Sequence, residues 1–282
     1  MWRPRLLITA AHCLTAAGTD GRVDAVAVFP PGAEVRVYSD TGPQGAATVA
    51  VRQWWKADGY VNTSRLVQPN DFAVIEPDAD LAPSGFTRLA TQFDLARWAK
   101  AGSQVEHVGY GLVAAKTPTR GPHSISLPLS GYRPGSLLGQ IFSTDQTEAK
   151  GLCPGDSGSP VFRMEGTSAF LLGVEVGSNS ACQEPPSSDL LSISAAAVGY
   201  LPVLNSALAS AGYPTIPGAP QSILAVARNR TATVSWLPPV VSAEAIVGYD
   251  VLDARGVLAC QATATTCTVA DLRDGTHGFT VR

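Results

Sequence analysis

Gly151-Leu152-Cys153-Pro154-Gly155-Asp156-Ser157-Gly158-Ser159-Pro160 decides how the rest of this 282-residue chain is read. Gly155 and Gly158 flank an acid and a serine, a combination that suits a tight turn holding one hydroxyl outward, because glycine accepts φ values that a side chain forbids. In such a turn the backbone N–H groups of Gly155 and Ser157 face a common concavity. Two donors aimed that way stabilise the negative oxygen that forms when a nucleophile attacks a carbonyl. A serine hydroxyl attacks poorly until a base removes its proton. The turn therefore calls for a histidine, and for a carboxylate to orient it.

Each has its own local signature. Thr9-Ala10-Ala11-His12-Cys13 follows the apolar run Leu6-Leu7-Ile8 and reads as a strand ending in a histidine-bearing turn. Asn70-Asp71-Phe72-Ala73-Val74-Ile75 places a carboxylate at the mouth of another buried strand. The order His12, Asp71, Ser157 is that of the chymotrypsin type. On these three motifs, residues 1–212 resemble a trypsin/chymotrypsin-like serine protease.

The resemblance implies an all-β fold of two six-stranded-type antiparallel barrels, the first one incomplete, closed by a C-terminal helix. It makes His12 the base, Asp71 the carboxylate that orients it and Ser157 the nucleophile, with Gly155 and Ser157 forming the oxyanion hole. The implied activity is hydrolysis of peptide bonds in a polypeptide substrate through an acyl-enzyme, with no metal and no organic cofactor. In that family the acid before the serine, here Asp156, is paired with an N-terminal ammonium or with an arginine. The sequence leaves open which group meets it.

Substrate preference rests on the pocket for the residue before the scissile bond. In trypsin the floor acid lies six residues before the nucleophile; here Gly151 stands at that place, with Leu152 beside it. A lysine or arginine there lacks its charge partner, so an uncharged, small or apolar residue is favoured. Glu175 and Asp189 are the two acids that could still reach the pocket from neighbouring strands. The segment Val174-Glu175-Val176-Gly177-Ser178 aligns with the family's substrate-binding strand and adds Glu175 and Gly177 to the pocket.

Composition agrees with many short strands: 27 glycines and 21 prolines favour turns over long helices. The net charge of −3, with no basic block, points away from nucleic acid and anionic membranes. No apolar run is long enough to span a bilayer. Of five cysteines, Cys153 with Cys182 and Cys260 with Cys267 are the expected bridges, leaving Cys13 free. Two bridges imply an oxidising compartment, hence a secreted protein. The resembled family pairs the cysteine beside its histidine with one upstream and begins its first barrel with two more strands, so the N-terminal part is expected to be missing.

In chain order, Val23–Val28, Val35–Tyr38, Thr48–Trp54 and Phe72–Ile75 read as strands of the first barrel. Val105–Tyr110, Leu137–Phe142, Pro160–Phe162 and Phe170–Val176 read as strands of the second. Leu201, Leu204 and Leu208 give Tyr200–Ala211 a helical spacing. Residues 213–220 are a Pro/Gly linker that cannot continue a helix. Beyond it, Ile223–Ala227, Ala232–Trp236, Val247–Leu252 and a hairpin around Cys260–Val269 form a small β-sandwich over residues 221–282. Trp236-Leu237-Pro238-Pro239 and Gly248-Tyr249-Asp250-Val251 resemble a fibronectin type III module whose last strand is missing. His107, His123 and His277 sit outside any motif and are assigned to packing or surface. Two other readings stand beside the protease: a catalytically impaired protease-like binding protein, and adhesion through the C-terminal module to a polysaccharide or surface partner.

Overall fold

The first six strands of the computed structural model are β1 (Leu7–Thr9), β2 (Thr15–Ala16), β3 (Val26–Ala27), β4 (Glu34–Ser39), β5 (Gly42–Lys56) and β6 (Ala73–Pro77). The structure describes residues 3–16, 26–27, 34–39, 42–62, 67–81, 88–112, 121–147, 151–178, 191–240 and 246–282. Four of these strands form one antiparallel sheet in the order β1-β6-β5-β4, and β2 pairs with β3 apart from it. The run Phe72-Ala73-Val74-Ile75 is buried throughout, as a central strand covered on both faces requires. Ala11, Leu14, Val51, Tyr60, Ala73 and Ile75 make the core here, with Trp54 packed against it. The strand expected at Thr48–Trp54 is the later part of the longer β5. Of Val23–Val28, only Val26 and Ala27 fall within the described residues.

The chain continues through β7 (Arg88–Leu89), α1 (Gln92–Lys100), β8 (Gln104–Gly109), β9 (His123–Ser136), β10 (Gly139–Asp145), β11 (Pro160–Glu165), β12 (Ser168–Ser178) and β13 (Leu191–Ala196). A 3₁₀ turn at Ala197–Tyr200 leads into α2 (Leu201–Ser210). Six strands close a ring, β11-β8-β9-β10-β13-β12, because β11 also pairs with β12. Closure removes the open edges that a flat sheet exposes. Val105, Leu129, Phe142, Val161 and Leu172 fill the core, together with Leu95 and Trp98 from α1.

One expectation needs correction in this barrel. The strand placed at Leu137–Phe142 begins at Gly139, because Leu137 and Leu138 form the turn out of β9. Leu137 is 98 % exposed, and Gly139 takes φ +91°, a value that serves the chain reversal. Helix α1 is an element beyond the strands expected from sequence. Its signal is a capping box: the Thr91 hydroxyl accepts from Asp94 N, and the Asp94 carboxylate accepts from Thr91 N. Leu95 and Trp98, one helical turn apart, are its buried face.

A separate compact unit spans Gly212–Arg282. It holds β14 (Gln221–Arg228), β15 (Thr231–Leu237), β16 (Tyr249–Asp253), β17 (Leu258–Ala262), β18 (Thr266–Val269) and β19 (Phe279–Val281). These form two three-stranded sheets, β14-β15-β18 and β17-β16-β19. Val234, Trp236, Tyr249, Val251, Val269 and Val281 make the core, and the Trp236 and Tyr249 rings meet edge to face at 5.2 Å. The segment Cys260–Val269 is not a hairpin. Leu258–Ala262 pairs with β16 and Thr266–Val269 with β15, so the chain crosses between sheets there, and the Cys260–Cys267 disulfide ties the two together.

Candidate active site

Antiparallel pairing of β1 with β6 (Leu7 to Ile75, Ile8 to Val74, Thr9 to Ala73) puts the end of one strand beside the start of the other. The chain leaves β1 into a 3₁₀ turn, Ala11–Leu14, which carries His12. Asp71 immediately precedes Phe72 and β6, after Asn70 at φ +53°. The two motifs therefore meet, although 59 residues separate them. Asp71 Oδ2 lies 2.6 Å from His12 Nδ1, and Asp71 Oδ1 accepts from the His12 backbone N–H at 2.9 Å. The Asp71 side chain is 1 % exposed, and the neighbouring Phe72 ring stacks on Tyr200 at 4.7 Å.

Electrostatics at His12 run in two directions. Burial penalises the imidazolium, but the hydrogen bond and charge of Asp71, aided by Cys13, outweigh it and raise the pKa above the ordinary 6.5.

The serine turn is built by its own backbone and seated on the second barrel. Asp156 N donates to Cys153 O at 3.1 Å and Ser159 N to Asp156 O at 3.0 Å. Gly155 and Gly158 take φ +96° and +78°, the left-handed values that the motif demands. Strand β12 clamps the turn: Gly158 N donates to Glu175 O at 2.7 Å, and Glu175 N donates to Ser159 O at 2.9 Å.

Asp156 takes no counter-ion among the described residues. Its Oδ1 accepts from Gly111 N at 2.8 Å and its Oδ2 from Cys153 N at 2.9 Å. Gly109-Tyr110-Gly111 is thus the seat of Asp156. A Cβ on Gly111 would lie 2.5 Å from the Asp156 carboxyl carbon, and one on Gly109 would also collide with it. In sequence, Gly109 and Tyr110 stand only as the end of the strand expected at Val105–Tyr110.

Ser157 is exposed. Its backbone carbonyl accepts from the Cys13 thiol at 3.6 Å, and a Cβ on Gly158 would lie 3.3 Å from Ala10 N. The serine and histidine turns are therefore in direct contact across 144 residues of sequence. Among the described residues, no hydrogen bond joins Ser157 Oγ to the His12 ring; such contacts often tighten only with substrate bound.

Of the expected pocket residues, Leu152, Glu175 and Gly177 are buried and Gly151 is half-buried. Gln146 accepts from Leu152 N and donates to Ser178 Oγ, and Ser178 Oγ donates to Leu152 O at 3.4 Å. These bonds tie the approach to the serine turn to β12. The Glu175 carboxyl turns inward, where Ser194 Oγ donates to Oε2 at 3.0 Å. Burial raises its pKa well above 4.5, against the partial relief of the Ser194 and Ser192 hydroxyls. His107 Nδ1 is 3.8 Å from the same oxygen, and burial lowers that ring to about 4. His107 is thus packed, as expected, but in a polar cluster. His123 and His277 are exposed. Asp189 and Cys182 lie outside the described residues.

Cys260 and Cys267 are bridged, Cys13 is free, and Cys153 is disulfide-bonded. Among the described residues, no group of three or more His, Cys, Asp or Glu side chains could hold a metal ion, and no helix is long and apolar enough to cross a membrane.

No curated protein matches this sequence. The family model described as Trypsin does match, over residues 1–192. That span takes in the histidine, aspartate and serine motifs, five of the six barrel strands with the start of the sixth, and more than half of the residues: the chain belongs to the trypsin family.

Proposed function

We propose that this chain is a secreted serine endopeptidase acting through an acyl-enzyme on Ser157. The observation that carries the reading is the double hold of Asp71 on His12 beside the serine turn. His12 Nε2 takes the Ser157 proton as Oγ attacks the peptide carbonyl carbon. Asp71 fixes the tautomer and favours the imidazolium that forms. The N–H groups of Gly155 and Ser157 receive the carbonyl oxygen as it becomes negative. The imidazolium then protonates the leaving amine, and a water repeats the sequence on the acyl-enzyme to free the second product.

Secretion is supported by the cysteines, with Cys260–Cys267 bridged and Cys153 disulfide-bonded. For residues 221–282, the two three-stranded sheets around Trp236 and Tyr249 support a fibronectin type III-like module; a polysaccharide or surface component is proposed as its partner on the sequence resemblance alone.

A fluorophosphonate tests the chemistry. It is expected to label Ser157, to fail on Ser157→Ala, and to label His12→Ala far more slowly because the base is gone. Equal labelling of wild type and His12→Ala overturns the assignment.

A further inference from the structure

The second barrel buries an acid that the proposed chemistry leaves unused. Glu175 is 2 % exposed, and its backbone holds the two residues that follow Ser157. Its C=O accepts from Gly158 N at 2.7 Å, and its N–H donates to Ser159 O at 2.9 Å. The carboxyl turns into the barrel, where Oε2 accepts from Ser194 Oγ at 3.0 Å and Oε1 makes no hydrogen bond.

The groups facing that carboxyl offer no positive charge. From β8, His107 presents Nδ1 at 3.8 Å from Oε2, and that nitrogen also lacks a partner. Burial keeps the ring neutral down to about pH 4. The serine turn brings Asp156, a charge of the same sign. From β13 come the Ser192 and Ser194 hydroxyls, and from β12 itself the Gly177 N–H. From β10 comes the Thr144 hydroxyl, 2.6 Å from Ser192 Oγ and 3.3 Å from His107 Nε2. Among the described residues, no lysine or arginine pairs with Glu175.

A carboxylate in this place is a buried anion without a counter-ion, which costs far more than the neutral acid. Burial therefore pushes the Glu175 pKa well above 4.5. The Asp156 charge acts in the same direction, and the hydroxyls and the Gly177 N–H relieve it only in part. Ionisation has a route to the nucleophile. An anion formed here is relieved by moving toward solvent, and the Glu175 backbone moves with it. The ladder is already interrupted at that point, because the register of β12 against β13 shifts between Glu175 and Gly177. Such a movement breaks the hold on Gly158 and Ser159, and Gly158 is joined to Ser157, whose N–H serves the oxyanion hole.

We propose that Glu175 is a proton-held latch on the serine turn. With its carboxyl protonated the turn keeps its working shape; loss of that proton releases the turn and switches Ser157 off reversibly. As regulation of the proposed nucleophile, the latch rests on the serine-endopeptidase reading above.

The test follows fluorophosphonate labelling of Ser157 in the full chain as pH rises, in wild type and in Glu175→Gln, whose amide does not ionise. The rising limb set by His12 is common to both and cancels in their ratio. Above neutral pH, wild type is expected to fall behind Glu175→Gln by about tenfold for each pH unit past the midpoint, the slope of a one-proton loss. Labelling should recover when the pH is brought back. Stability carries a matching sign. A carboxyl whose folded pKa is raised adds stability that is fully present below 4.5 and is lost as pH climbs through the folded value. Wild type should therefore lose denaturation free energy relative to Glu175→Gln as pH rises from 4.5, levelling off where labelling is lost. A labelling ratio that stays constant across pH overturns the proposal, as does a loss that does not reverse. Should Glu175→Gln fail to fold, infrared spectroscopy decides on wild type alone. A protonated-carboxyl C=O stretch should persist at neutral pH and vanish with the same midpoint as the labelling. Its absence at neutral pH, or a different midpoint, overturns the proposal. Failure of wild type to label at any pH strikes the protease reading instead, and the infrared band still tests the buried proton.

Discussion

Asp71 holds His12 at two points at once: Oδ2 lies 2.6 Å from the ring Nδ1, and Oδ1 takes the backbone N–H at 2.9 Å. The second contact orients the carboxylate independently of the ring. A carboxylate fixed in this way keeps the Nδ1 proton on its own side and leaves Nε2 with its lone pair toward the serine turn.

That hold makes a prediction about pH. His12 is raised above 6.5, so it must lose its proton at a higher pH than an ordinary histidine before it serves as base. The acid limb of kcat/KM should therefore lie above 6.5 in wild type and move down in Asp71→Asn, with kcat falling on the order of 10⁴-fold, the scale of chymotrypsin-type triads. The stability sign follows the same shift. A histidine whose folded pKa is raised adds stability that is fully present below 6.5 and is lost as pH climbs through the folded value. Melting curves across pH should show wild type exceeding Asp71→Asn most at the acid end, with the gap closing as pH rises. A gap that widens toward alkaline pH contradicts this sign.

Asp156 offers a second test. Gly111→Ala puts a Cβ 2.5 Å from the Asp156 carboxyl carbon, so the carboxylate has to leave its seat and give up the bonds from Gly111 N and Cys153 N. We expect fluorophosphonate labelling of Ser157 to slow by about tenfold or more, the cost of one well-placed hydrogen bond to a charged group. The circular dichroism spectrum should be unchanged. Labelling at the wild-type rate would show that the turn holds its shape without this seat.

For the cysteines, peptide mapping without reduction should return Cys260–Cys267 and Cys153–Cys182, with Cys13 alkylated as a free thiol in this chain. Cys260 and Cys267 are seven residues apart, so opening that bridge with Cys260→Ser is expected to cost roughly 2–3 kcal/mol of denaturation free energy in the Gly212–Arg282 unit. A crosslink from Cys13 to any of the other four contradicts the assignment.

Trp98 is the stability test for the barrel. It is fully buried, its Nε1 donates to Glu165 Oε1 at 2.8 Å, and the guanidinium groups of Arg97 and Arg163 lie 4.9 and 5.3 Å from its ring. Trp98→Ala should cost about 3–5 kcal/mol in chemical denaturation, from lost burial and the cavity left behind. Trp98→Phe keeps most of the packing and loses the N–H, so about 1–2 kcal/mol is expected. Equal losses in the two variants would mean that packing contributes little here.

How far the site was legible depended on whether its chemistry has letters. His12, Asp71 and Ser157 each sit in a short run whose residue types announce the turn or strand that carries them, so their order was readable from the chain. Helix α1 is legible too, in the capping pattern Thr91-Gln92-Phe93-Asp94. The partner of Asp156 was not legible. It is a pair of backbone N–H groups, and every residue except proline has one, so only the folded approach of Gly111 and Cys153 selects them.

The sequence by itself thus determined an all-β chain with three local motifs, a closing helix and a Pro/Gly break before a second unit. Only the tertiary structure decided that β11 pairs with β12 to close the barrel, and that Cys260–Val269 crosses between sheets. Closure depends on β8 meeting β11, and the crossing on β15 meeting β18, pairings between strands distant in sequence, which local patterns leave unspecified. It alone decided where Glu175 points. The register of β12 against β13 shifts between Glu175 and Gly177, and such a bulge re-aims side chains in a way strict alternation cannot foretell. An acid that strand periodicity could not assign to either face is turned into the barrel beside Ser194, because the bulge and the serine turn fix its backbone there.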